Sequence, residues 1–100
     1  MVTQLVFAPR AFDDIDRIAD FLLENDPAGA AAIGGLLRSG IEMLGQHPLV
    51  GRLIEHRFRE LVISRGRSGY VALYKYDPVA DVVVILAIRH QRESGYGPEG

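Results

Sequence analysis

The chain has 100 residues, 48% of them apolar, and a formal net charge of −2. This length is enough for one hydrophobic core and one domain, and the apolar share excludes a largely disordered chain. With no cysteine, there is no disulfide framework and no thiolate metal site, so a reducing compartment is expected.

The positive charge is concentrated in the second half. Residues 1–50 contain three arginines and seven acidic residues, a net charge of −4, whereas residues 51–100 contain eight basic and six acidic residues, a net charge of +2. Lys75 is the only lysine, so almost all of the basic groups are guanidinium groups, which suit two-point pairing with carboxylate or phosphate. The overall acidity disfavours tight, sequence-independent nucleic-acid binding, which depends on many phosphate contacts.

Neither end of the sequence predicts export or membrane insertion. Residues 1–7 lack a basic region followed by a long apolar stretch, as a secretory signal would have. No stretch approaches the roughly 18 apolar residues needed to span a bilayer. A cytoplasmic location is therefore expected.

The first quarter of the chain predicts a strand and a helix. Residues 3–7 alternate weakly and predict a short edge strand ended by Pro9. The helix that follows has apolar residues at helical spacing, with Phe12, Ile15, Ala19 and Leu22 forming the stripe and Ile18 and Leu23 widening it.

Four aspartates of this helix fall off the apolar stripe, namely Asp13, Asp14, Asp16 and Asp20. The first two are expected near the positive end of the helix dipole. We do not interpret them as metal ligands, because no ligand-loop glycine or calcium-loop spacing accompanies them.

A second helix is predicted to begin at Pro27 with Asp26 as its N-cap, and to end at His47-Pro48. Its apolar face is formed by Ile33, Leu36, Leu37, Gly40, Ile41 and Leu44. The two helices are expected to form a hairpin that packs on a sheet.

The second half predicts an antiparallel meander after a turn at Gly51-Arg52. Strands are predicted at residues 58–63, 69–76 and 82–89, with short connections that leave no room for crossover helices. Residues 93–100 contain few apolar groups and are expected to be a mobile tail. The predicted fold class is α+β in one domain.

The order and spacing of five segments resemble the ParE/RelE superfamily of type II toxin-antitoxin systems, and its ParE-like branch in particular. These segments cover nearly the whole chain: residues 8–11, 48–52, 59–61, 69–74, and 88–93 together with Tyr96. The last one, Ile88-Arg89-His90-Gln91-Arg92-Glu93, follows an apolar strand and delivers cationic side chains to its end.

The resemblance implies one of two activities on one fold. ParE-like members poison DNA gyrase, whereas RelE-like members cut messenger RNA in the ribosomal A site. Both are held inactive by a cognate antitoxin, which often has a ParD-like ribbon-helix-helix half. No cofactor or metal is implied, and His47 and His56 have no partners at metal-ligand spacing.

The nuclease residues implied by the resemblance are incomplete here. Cleavage through the 2′-hydroxyl needs a base, cationic stabilisation of the phosphate and an acid. Glu60 and Val62 occupy the region of the family's lysines, while His90, Arg92 and Tyr96 are the candidate catalytic residues if the chain is a nuclease. An alternative role for His90 is a hydrogen-bonded histidine that fixes the C-terminal segment.

The incomplete set of nuclease residues and the acidic net charge favour a gyrase poison that neither forms nor breaks covalent bonds itself. The alternatives are a ribosome-dependent endoribonuclease and a toxin-fold protein that survives only as a binding module. Strand edges and a groove beside the helical hairpin are expected to bind the antitoxin. The arginines predicted to contact antitoxin or target are Arg52, Arg59, Arg65, Arg67, Arg89 and Arg92.

Overall fold

The computed structural model describes residues 3–65 and 68–91, without the side chains of residues 64, 65 and 68. Its elements are β1 (Gln4–Phe7), α1 (Pro9–Asn25), α2 (Pro27–Gln46), β2 (Arg52–Glu55), β3 (Phe58–Arg65), β4 (Ser68–Asp77) and β5 (Val82–His90). The strands form one sheet in the order β1-β5-β4-β3-β2. β1 pairs parallel with β5, and the other pairs are antiparallel. The predicted α+β fold is confirmed.

The meander has one strand more than the three predicted. Beyond Gly51, where we predicted a turn, the chain continues as β2, with Arg52 opposite Glu60 and Leu53 opposite Arg59 of β3. All four residues of β2 are exposed. A strand this short, without a buried side, has no alternation of apolar and polar residues from which it could be predicted. The tail at residues 93–100 lies outside the described residues.

Both helices end where a proline follows. The residue before a proline avoids the helical conformation, and Asp26 and His47 accordingly have ψ values of 77° and 70°. Asp26 is also the predicted N-cap of α2, since its Oδ1 accepts a hydrogen bond from the amide of Gly29 at 3.1 Å. These boundaries confirm the prediction from sequence.

The helical hairpin covers one face of the sheet. The predicted apolar face of α2 is confirmed, with Ile33, Leu37, Ile41 and Leu44 all buried. A Cβ at Gly40 would lie only 2.7 Å from the side chain of Ile63 on β3, so the small residue allows the helix to approach the sheet closely. Burial of each large aliphatic side chain here stabilises the fold by roughly 2 kcal/mol.

The predicted stripe of α1 is rotated from the observed one. Ala11, Asp14, Ile18 and Leu22 are the buried residues, whereas Phe12 and Leu23, which we placed on the buried face, are 57% and 64% exposed. The helix begins at Pro9 with no acidic residue in its first turn, so the expected placement of Asp13 and Asp14 at its positive end is wrong.

Asp14 is a buried carboxylate that contacts the last strand. Its Oδ2 accepts a hydrogen bond from the amide of Ile88 at 2.8 Å, and only 5% of the residue is exposed. Arg17 pairs with Asp14 at 3.5 Å and donates a second hydrogen bond to the carbonyl of Ile88 at 3.4 Å. Arg10 lies 4.0 Å from the same carboxylate. Helix α1 therefore binds both backbone groups of Ile88.

This contact replaces a missing stretch of strand. β1 pairs with β5 only as far as Phe7 opposite Ile85, and the amide of Ala8 closes the ladder on the carbonyl of Ile85 at 2.9 Å. After this point the chain continues as α1, so the rest of β5 would have no neighbouring strand on this edge. Asp14 and Arg17 supply the acceptor and the donor that a neighbouring strand would have supplied.

Neither described helix is long and apolar enough to cross a membrane.

We predict that Asp14→Ala lowers the free energy of unfolding by about 2–3 kcal/mol, because it leaves the buried amide of Ile88 without an acceptor. Asp14→Asn keeps an acceptor oxygen and is expected to cost roughly half as much. The exposed neighbour Asp13 provides the control, and Asp13→Ala is expected to change the free energy by less than about 0.5 kcal/mol. Urea unfolding followed by circular dichroism measures all three. Equal effects of Asp14→Ala and Asp13→Ala would contradict this role.

Candidate functional site

The two described basic residues at the end of β5, Arg89 and His90, lie on opposite faces of the sheet. His90 pairs with Tyr70 and Arg89 with Val71, and successive strand residues point to opposite faces. Tyr70 belongs to the core beneath the helices, so His90 lies on the helix-covered face. Arg89 lies on the opposite face, across from the buried Val71. The sequence had suggested one cationic cluster, and the strand separates its two described members.

His90 packs on a buried tyrosine. Its ring meets Tyr70 edge-on, with the ring centres 5.3 Å apart and the planes at 90°. Burial raises the pKa of the Tyr70 hydroxyl above 10.0, and the charge of Asp26 raises it further. Tyr70 thus remains a neutral, packed ring, and the contact is consistent with a histidine that fixes the end of the strand.

Three of the predicted binding arginines make contacts within the described part of the chain. The Nη1 of Arg89 donates to the carbonyls of His90 and Gln91 at 3.3 and 3.4 Å. The Nη1 of Arg59 donates to the carbonyls of Leu49 and Gly51 at 3.1 and 2.8 Å. Arg52 pairs with Glu60 at 3.0 Å, and its side chain is 78% exposed. Arg59 therefore holds the loop that precedes β2, whereas Arg52 keeps most of its surface available.

The same loop is tied to the core through Tyr74. Its hydroxyl donates to the carbonyl of Pro48 at 2.9 Å and accepts from the amide of Gly51 at 2.8 Å. A Cβ at Gly51 would lie 2.6 Å from the Tyr74 ring, so only glycine allows this approach. Burial raises the pKa of Tyr74, which keeps its hydroxyl neutral. The loop at residues 48–51 is consequently a fixed wall and not a loose connection.

Beside this wall lies a groove of about 530 Å³, at the end of the sheet away from His90. Its lining comes from the loop, from strands β2, β3 and β4, and from the β2–β3 and β4–β5 turns, with Leu49, Leu53, His56, Arg57, Arg59, Tyr76, Asp77, Pro78 and Val79. Three of its apolar side chains are largely exposed: Leu49 at 59%, Leu53 at 53% and Val79 at 96%.

A hydrogen-bonded cluster holds the β4–β5 turn against the N-terminal strand. The carboxylate of Asp81 accepts from the hydroxyls of Thr3 and Tyr76 at 2.7 and 2.8 Å. The bond from Thr3, followed by that from Tyr76, lowers the pKa of Asp81 below its ordinary value. The bond to Asp81 is in turn the main reason that the pKa of Tyr76 is raised.

The other predicted site residues are not placed. Arg67, Arg92 and Tyr96 lie outside the described residues, and so does the side chain of Arg65. Within the described ranges, no cluster of three or more histidine, aspartate or glutamate side chains could hold a metal ion.

Sequence reasoning missed the groove. Its apolar members sit in turns, where Leu49 follows Pro48 and Val79 follows Pro78. Apolar residues at such positions are a usable signal, because connections between elements lie at the surface and do not need them for packing.

Comparison with known proteins decides the family. Residues 5–95 match the family model of the ParE toxin of type II toxin-antitoxin systems, parDE. The chain belongs to the ParE toxin family. The resemblance inferred from the spacing of motifs is confirmed.

Named relatives of this toxin come from Caulobacter vibrioides. Toxin RelE3 is 40% identical over 85 residues, which is 85% of this chain and 90% of the relative. Toxin RelE1 is 35% identical over 75% of this chain and 81% of its own length. The ParE-family toxin is therefore also similar to proteins that carry the RelE name.

A solved structure has the same fold as this toxin. It is the toxin-antitoxin complex RelBE2 from Mycobacterium tuberculosis, with a TM-score of 0.60 and 24% identity, covering 91% of this chain and all of the matched one. At this identity the likeness concerns the fold alone. The toxin itself, as a family member, functions in a system that pairs toxin with antitoxin.

We predict that stability depends on the ionisation of Asp81. Its pKa is lower in the folded toxin than in the unfolded chain, so the stabilisation is present above the unfolded value near 3.8 and is lost as the pH falls through the folded pKa. Asp81→Asn removes this dependence. Asparagine tolerates the φ of 56° at this position, so the backbone is not strained.

The measurement is the urea midpoint of the toxin and of Asp81→Asn between pH 7 and pH 3. Their difference is expected to be constant at neutral pH and to shrink below about pH 4. Asp20→Asn, on the exposed side of α1, is the matched control and is expected to follow the unmodified toxin. A difference that does not change with pH would refute the assignment.

Proposed function

We propose that this toxin inhibits DNA gyrase by stabilising the cleaved gyrase-DNA complex, and that it performs no bond chemistry itself. The observation that carries this proposal is the divergence of Arg89 and His90 onto opposite faces of the sheet. A histidine base and a cation that stabilises the phosphate must act on the same phosphodiester, so Arg89 cannot serve beside His90, and a nuclease would depend on Arg92 for this cation.

The face of the sheet opposite the helices adds to this argument. Glu60 and Val62 lie there, opposite Leu73 and Val71, in the region where the resemblance implies lysines for a nuclease. Glu60 pairs with Arg52 and supplies no cation of its own in this position, and valine offers no donor. The net charge of −2 likewise disfavours entry into an RNA-lined site.

A second candidate function is cleavage of messenger RNA at the ribosome. It is favoured by the names of the relatives, which are RelE toxins. In this case the catalytic residues would be His90, Arg92 and Tyr96, with Arg92 and Tyr96 in the part of the chain that is not described. A third candidate is a member of the fold that binds its antitoxin without being toxic.

The partner proposed for this toxin is a cognate antitoxin with a ParD-like ribbon-helix-helix half. The family is that of toxins from parDE systems, and the related RelBE2 toxin was crystallised with its antitoxin. Antitoxin dimers would then set the size of the assembly.

The test is a plasmid cleavage assay with purified toxin, gyrase, ATP and supercoiled DNA, stopped with detergent and protease. We expect linear DNA that is absent when the antitoxin is added first. His90→Ala is expected to retain at least half of this activity, because the ring packs on Tyr70 and does no chemistry.

A matched assay separates the alternatives. Translating ribosomes and messenger RNA replace gyrase and DNA, and cleavage is read by primer extension. One outcome would identify the ribosome and not gyrase as the target. In it, the toxin cleaves messenger RNA, a folded His90→Ala variant does not, and the first assay yields no linear DNA. A folded toxin that is inactive in both assays but binds its antitoxin would favour the binding module.

A further inference from the structure

The two halves of helix α2 differ in how firmly they are held. The buried residues of its second half are Leu37, Ile41, Leu44 and Gly45. The carbonyl of Gly45 also accepts a hydrogen bond from the amide of Thr3 at 3.3 Å. In residues 27–35, Ile33 is the one buried residue. Because packing of an apolar face provides most of the stability of a helix in a protein, the second half is held much more firmly than the first.

The direction of α2 explains this difference. The helix lies over the start of β1 at Gly45, and over Ile63 near the end of β3 at Gly40. β3 ends at Arg65, about 7 Å past Ile63. From Gly40, α2 extends back to Pro27 over about 20 Å. Much of its first half therefore reaches past the end of β3, where this strand offers no surface for packing.

The halves are separated by Gly34-Gly35, and packing does not explain these glycines. Both residues are exposed. A Cβ at either position would have no atom of the described residues within 4 Å, apart from the adjoining helix backbone, whereas a Cβ at Gly40 would meet Ile63. Glycine inside a helix is less favourable than alanine, because it loses more conformational freedom on folding. The pair thus weakens α2 at the boundary between its halves without a gain in packing.

Small residues on a helix surface can also allow a second helix to approach closely, but the following turns of α2 do not favour this use. Residues four positions apart lie on the same side of a helix. Arg38 follows Gly34 by one turn and Glu42 follows by two, and both are exposed. Such long charged side chains would hold a second helix away. The glycines are therefore better explained by an effect on α2 itself.

The first half of α2 lies near the end of the sheet that carries His90. Burial, and after it the charge of Asp26, raises the pKa of the Tyr70 hydroxyl, which indicates that this N-cap is near Tyr70. The ring of His90 packs against the same tyrosine. Ile33 belongs to the same core cluster as Tyr70, which is only 2% exposed. A movement of this half of the helix would remove part of the cover of Tyr70.

We propose that residues 27–35 open as a unit, with Gly34-Gly35 as the hinge, while the rest of α2 stays on the sheet. The opening withdraws Ile33 from the core and uncovers Tyr70 beside His90. Segments held by few buried apolar contacts open at a lower free energy than the protein as a whole. The toxin thus has a closed and an open form at this end of the hairpin, whichever target it acts on.

Amide hydrogen exchange followed by NMR tests the proposal, because it measures the opening of each half separately. The helical hydrogen bonds of amides 31–35 lie within the first half, and those of amides 40–45 lie within the second. After correction for intrinsic rates, we expect amides 31–35 to exchange at least about a hundredfold faster than amides 40–45. Equal protection of the two groups would show that α2 opens as one unit and would overturn the proposal.

Two matched variants identify the unit that opens. Ile33→Val and Ile41→Val each shorten one buried side chain, one in either half. We expect Ile33→Val to speed the exchange of amides 31–35 about fivefold. Ile41→Val is expected to speed amides 40–45 by about the same factor and to leave amides 31–35 within about twofold, since Ile41 stays packed in the open form. An Ile41→Val variant that speeds both groups alike would contradict a separate first half.

The double variant Gly34→Ala, Gly35→Ala tests the hinge. Alanine at both positions favours the helix over the opened chain, so we expect the exchange of amides 31–35 to slow about twentyfold. Ser39→Ala, at an exposed position of the second half, is the control and is expected to leave these amides within about twofold. Circular dichroism verifies that both variants are folded. Unchanged exchange of amides 31–35 in the double variant would overturn the assignment of the hinge to the glycine pair.

Discussion

The hydrogen bond between the carboxylate of Asp14 and the amide of Ile88 is the constraint on which the arrangement of this toxin depends. β1 is only four residues long, so half of β5 would otherwise be an unpaired edge. A buried polar group without a partner is costly, and the helix that follows β1 supplies one through Asp14 and Arg17. This contact holds α1 on the sheet beside the cationic end of β5.

The charged side chains of the second half consequently have different roles. Arg59 stabilises the loop before β2, and Arg89 and His90 lie on opposite faces of the sheet. Arg52 and Arg57 remain at the outer edge, beside the groove. One end of the sheet thus carries Arg89 and His90, and the other end carries a groove with exposed apolar side chains.

Much of the fold could be predicted from local patterns. The ends of both helices follow from Pro27 and Pro48, and the strands β3 to β5 follow from apolar runs bounded by turns. Asp14 could not be predicted in the same way, since an aspartate between hydrophobic positions looks like a solvated residue until its partner, 74 positions away, is known. β2 could not be predicted either, because it is defined as a strand by its pairing with β3 and its side chains show no strand pattern.

The sequence by itself determined the fold class, the ends of both helices and the family, because these depend on the spacing of apolar residues, prolines and motifs along the chain. Only the tertiary structure decided which arginines bind inside the molecule, that Arg89 and His90 diverge, and that a groove lies beside β2. The physical reason is that these features arise where residues distant in sequence meet, and local periodicity contains no information about which distant group will satisfy a buried charge or leave an edge exposed.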